Sequence, residues 1–98
     1  MAAAAQVRTH RLTTEIAIAT AALLSQLDDR RAHPGYGNRK SEIVAAYYRL
    51  EGLVFGWLYV TGTWTRAASV LLTEPTYELI RANLGLDLAD LRKQALNA

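Results

Sequence analysis

The run Ser41–Thr61, SEIVAAYYRLEGLVFGWLYVT, limits the fold more than any other stretch of the chain. Ile43, Tyr47, Leu50, Val54 and Trp57 or Leu58 recur at steps of three and four, and Val44, Tyr48, Phe55 and Tyr59 fill the neighbouring stripe. This is helical periodicity, with apolar residues over most of the circumference, so the segment needs partners on at least two sides. Tyr, Val, Phe and Trp also favour strands, and Leu53–Thr61 taken alone reads either way. Length decides for the helix, because about twenty residues far exceeds the roughly 5–6 of an ordinary strand. Ala45-Ala46 and Arg49-Leu50-Glu51 add strong helix formers. Gly52 and Gly56 lie four apart on one face, where they would admit a neighbouring backbone. Each costs about 1 kcal/mol relative to alanine, so close packing or a bend is expected to offset them.

A membrane span is the competing reading of such a run. Arg49 and Glu51 interrupt it and leave about ten apolar residues where a span needs roughly 20. Two residues apart, the two charges point to different sides and form no same-face pair. They are expected at the edge of the buried surface, stems packed and heads in water.

The 98 residues provide for one domain with a modest core, and 51% hydrophobic with 20% charged residues describes an ordered globular chain. Without cysteine there is no disulfide framework, thiolate nucleophile or cysteine-ligated zinc. The start, MAAAAQVRTH, lacks the apolar core of a secretory signal, which makes a cytoplasmic location the expectation. Positive charge is concentrated in the first half: residues 1–50 carry seven Lys/Arg against four Asp/Glu, and residues 51–98 four against five.

Residues Ala3 to Arg31 read as one long amphipathic helix with Leu12, Ile16, Ala19, Leu23 and Leu27 as its main stripe and Ile18, Ala22 and Leu24 widening it. Arg8 and Arg11 near its start and Asp28 and Asp29 near its end oppose the helix dipole, so its ends should fray or those charges should find other partners. A later start at Thr13-Thr14 is the alternative, with threonine as cap. His33-Pro34-Gly35-Tyr36-Gly37-Asn38 then breaks the chain, with Asn38 or Ser41 available to cap the central helix. A shorter helix is expected from Trp64 to Leu72. Thr73-Glu74-Pro75-Thr76 marks the next helix start, with a threonine cap, an acid in the first turn and a proline whose missing N–H costs nothing there. Tyr77, Ile80 and Leu84 face inward along it, and Gly85 closes it in the left-handed conformation. Asp87 caps a last helix whose stripe is Leu88, Leu91, Ala95 and Leu96. The expected fold is all-α, a bundle of four to five helices in which a long N-terminal helix packs on the central apolar one.

Catalytic patterns are weak. His10 and His33 sit in no recognisable motif, Ser25, Ser41 and Ser69 lack a nucleophile turn, and Gly35-Tyr36-Gly37 is not a phosphate loop. Asp28, Asp29 and His33 are a poor metal set, and no metal, cofactor or small-molecule substrate is expected. Two binding readings remain. Tyr47, Tyr48, Phe55, Trp57, Tyr59 and Trp64, with Gly52 and Gly56, are candidates for an interface, because eight aromatics are many for so small a core and exposed Tyr and Trp anchor protein contacts. That reading makes the chain a non-catalytic oligomerisation or protein-docking module, an accessory, regulatory or structural component of the kind bacteria and phages use. The alternative is a small nucleic-acid-binding protein. Arg66–Leu72 and Thr76–Leu84 would form a helix-turn-helix-like pair, and Arg30, Arg31, Tyr36, Arg39 and Lys40 the anion contact.

Overall fold

In the computed structural model the described residues are 2–34, 39–61 and 73–98, with side chains described for 10–34, 40–61 and 73–98. Among them are four helices and no strand: α1 (Ala2–Ala32), α2 (Arg39–Val60), α3 (Glu74–Leu84) and α4 (Leu88–Leu96). The fold is the small all-α bundle that the periodicity predicts. α2 packs along α1 as an antiparallel hairpin, α4 packs on α2, and α3 packs on α4. The expected helix at Trp64–Leu72 lies outside the described residues.

α1 is continuous through Thr13-Thr14. Both threonine hydroxyls donate back to the carbonyl of His10, at 2.9 and 3.0 Å, so they serve the preceding turn and start no helix. At the other end the helix runs on past the two aspartates. Arg30 and Arg31 occupy its last turn, where positive charge suits the dipole, and Arg31 Nη1 donates to Asp28 Oδ1 at 3.2 Å.

Among the described residues the core is one cluster. Ile16, Ala19, Leu23 and Leu27 of α1 meet Ile43, Tyr47, Leu50, Val54, Trp57 and Leu58 of α2, with Ile80, Leu86, Leu88, Leu91 and Ala95 closing the third side. The main stripes of both long helices are therefore the buried ones. The widening of the α1 stripe is not seen: Ile18 is 65% and Leu24 43% exposed, and Ala22 is exposed as well. α2 extends as helix through Leu53–Val60, and it covers its apolar circumference only in part.

The two short helices follow their caps. Thr73 is the extended residue before α3, with Pro75 in the first turn, although its hydroxyl meets Thr76 Oγ1 at 3.3 Å and bonds no backbone N–H. Gly85 ends α3 at φ 62° and donates its N–H to the carbonyl of Arg81. Asp87 Oδ1 accepts from the N–H of Asp90 at 3.1 Å, which caps α4.

Candidate interaction surface

Tyr47 and Tyr48 are neighbours in the chain with opposite fates. Tyr47 is fully buried, and its hydroxyl donates to Glu51 Oε2 at 2.7 Å one turn further along α2. Tyr48 is 49% exposed, its ring edge-on to Tyr47 with centroids 5.4 Å apart. Trp57 is 7% exposed and belongs to the core. Tyr47 and Trp57 are thus taken up inside this chain and leave the set of candidate contacts, because the helical step turns them toward α1 and α4. Tyr59 is 62% exposed, and Phe55 is half-buried. Tyr48, Phe55 and Tyr59 stand seven and four residues apart, which aligns them as one ridge along α2. Trp64 lies outside the described residues.

The glycines do not admit a backbone among the described residues. A Cβ at Gly52 would meet nothing within 4 Å, and one at Gly56 would meet only Leu12 Cδ2 at 3.8 Å, an ordinary contact. Gly52 therefore makes a notch in the exposed surface beside Tyr48, without the close packing expected there.

Glu51 carries a role that its place at the edge of the apolar run conceals. Spaced four from Tyr47, it accepts the hydrogen bond of a buried phenol, and that spacing was the available signal. Burial, and then the neighbouring carboxylate, push the Tyr47 phenol well above its ordinary value of 10.0. A folded-state value raised in this way contributes stability that is complete below pH ~10 and is lost as the pH rises above it, because the unfolded tyrosine then ionises first. Tyr47→Phe is accordingly expected to unfold less steeply with alkali above pH ~10 than the wild type, as read by circular dichroism across a pH titration. Equal slopes for the two proteins would remove Tyr47 from the alkaline transition.

Arg30 and Arg31 in the last turn of α1 and Lys40 in the first turn of α2 lie at the same end of the hairpin. Arg31 donates to Asp28 and, through Nη2, to Gln94 Oε1 at 2.6 Å; Gln94 in turn donates to Asp90 Oδ2 at 2.6 Å, so Arg31 fastens the end of α1 to α4. Arg30 is half-buried and engaged, and Lys40 is exposed. Tyr36 and the side chain of Arg39 lie outside the described residues, as does the Arg66–Leu72 half of the helix-turn-helix-like pair. In α3, Arg81 is held by Glu78 at 2.7 Å, Glu74 at 3.8 Å and Asp87 at 3.9 Å, so the one basic side chain of that helix is surrounded by acids.

A second feature was not read from the sequence at all. On the flank of the α1–α2 hairpin away from the tyrosine ridge runs an open groove of about 600 Å³ with Ile18, Ala19 and Ala22 on one wall and Ala45 and Ala46 on the other, rimmed by Glu15, Gln26, Glu42 and Arg49. Among the described residues no group of three or more His, Asp or Glu side chains converges, and no helix is long and apolar enough to cross a membrane. No family model, curated protein or solved structure matches this chain.

Proposed function

We propose that this chain is a non-catalytic helical module that works by docking through protein contacts, onto itself or a larger assembly. The observation that carries the reading is the ridge Tyr48–Phe55–Tyr59, which stands beside a closed core and leaves two large aromatic side chains in solvent. Tyrosine supplies broad apolar area with a polar tip and little rotamer entropy to lose, the character of an interface anchor. Arg81, the basic side chain of α3, is engaged by Glu78, which weighs against α3 as a phosphate-facing helix and so favours a protein partner.

The test is paired substitution. Tyr48→Ser with Tyr59→Ser is expected to leave the helical content unchanged and the folding stability within about 0.5–1 kcal/mol, because neither ring is in the core. The same pair is expected to weaken binding of a protein partner to this ridge, with at least a roughly tenfold rise in Kd. A doubly substituted protein that unfolds would assign the ridge to the core. One that gains nothing and loses nothing, while duplex DNA binds in a salt-sensitive way, would favour the nucleic-acid alternative.

A further inference from the structure

We infer that the groove on the other flank of the α1–α2 hairpin pairs with a second copy of this chain, antiparallel, about a two-fold axis passing between Ala45 and Ala46. The face is self-complementary in charge. Glu42 and Arg49 are seven residues apart on α2 and so project from the same side, and the two alanines of the same groove wall lie midway between them along the helix. Reversing α2 about its Ala45–Ala46 midpoint carries position 49 onto position 42. In such a pair Arg49 meets the partner's Glu42 and Glu42 meets the partner's Arg49, two equivalent ion pairs from one contact, as a two-fold interface requires. Neither side chain has an ion-pair partner among the described residues of its own chain.

The α1 wall agrees with this axis. Leu12 lies beside Gly56 in the antiparallel hairpin, and the same register sets Ala22 level with Ala46 and Gln26 level with Glu42. The small residues of both walls therefore coincide at the axis, where two hairpins must approach most closely. Ile18, the most exposed large apolar side chain of α1 among those described, stands on this wall and would be covered by the partner's α1. At the Glu42 end, Gln26 Oε1 is buried without a hydrogen-bond partner. Rotation of the Gln26 amide toward the groove that it lines would bring this oxygen within reach of an arriving guanidinium, whose five N–H donors suffice for it and for the Glu42 carboxylate together. The surface is distinct from the tyrosine ridge, so the two readings stand or fall separately.

Charge exchange tests the inference. The wild type is expected to sediment as a dimer, and Glu42→Arg or Arg49→Glu, each of which sets like charges against each other twice, is expected to raise the dimer Kd by roughly ten- to a hundredfold. Mixing the two single variants is expected to restore a dimer, now a heterodimer, and the double variant Glu42→Arg/Arg49→Glu should dimerise by itself. Both side chains are exposed, so circular dichroism should show all four proteins equally helical. A wild type that stays monomeric at about 0.2 mM would overturn the inference and leave the ridge to a different protein. A dimer indifferent to the charge variants but lost on Tyr48→Ser/Tyr59→Ser would overturn it as well, by assigning self-association to the ridge.

Discussion

Tyr47→Ala is expected to destabilise the fold by about 3–5 kcal/mol. The side chain is fully buried and belongs to the core that α2 shares with α1 and α4. Part of the cost comes from lost transfer energy and the residual cavity. The rest comes from Glu51, which loses the phenolic donor at 2.7 Å and keeps a half-buried carboxylate. Against a total stability of about 5–15 kcal/mol for a domain this size, the loss should lower the thermal midpoint by on the order of 20 °C. Urea unfolding followed by circular dichroism measures it directly. A cost under about 1 kcal/mol would mean that Tyr47 is not the centre of the core. Tyr48→Ala next to it should cost far less, since half of that ring is already in water.

The second large effect is on α1. Leu23→Ala is expected to cost about 2–5 kcal/mol, while Leu24→Ala should cost about 1 kcal/mol or less. The two leucines are chemically identical and adjacent, so the difference measures placement alone: Leu23 has no exposed surface and Leu24 is 43% exposed. Parallel urea titrations of the two variants decide it, and equal losses would show that the stripe of α1 is as wide as the sequence implies.

That pair also shows where sequence reading stops. The spacing of Leu12, Ile16, Ala19, Leu23 and Leu27, and of Ile43, Tyr47, Leu50, Val54 and Trp57, identifies the helices and the centre of each buried stripe, because a residue every three or four positions can satisfy only one face. Caps are legible for a similar reason, since Pro75, Gly85 and Asp87 act through local backbone chemistry that needs no tertiary information. The width of a stripe is another matter. An apolar side chain at its margin is buried only if another element covers that margin, and Ile18, Leu24, Tyr48 and Tyr59 are apolar residues that no described element covers.

The candidate site divides along the same line. Tyr47 and Tyr48 are indistinguishable by composition, yet a step of about 100° around α2 sends one into the core and the other into solvent. Arg30 and Arg31 end α1 as the sequence implies, but only the fold shows that Arg31 comes within reach of Gln94, far away in the sequence. The Glu42–Ala45–Ala46–Arg49 face was hidden by its own ordinariness, as charges and alanines on a helix look like a solvated side until a groove is seen beside them.

The most direct test of the account is the mass of the purified protein in solution, by light scattering, with and without a mixed-sequence duplex oligonucleotide. A chain that works by protein contacts and pairs with itself should give about twice its 10.8 kDa, unchanged when the duplex is added. A monomer whose mass rises only on adding DNA at low salt, and falls back at high salt, would contradict it.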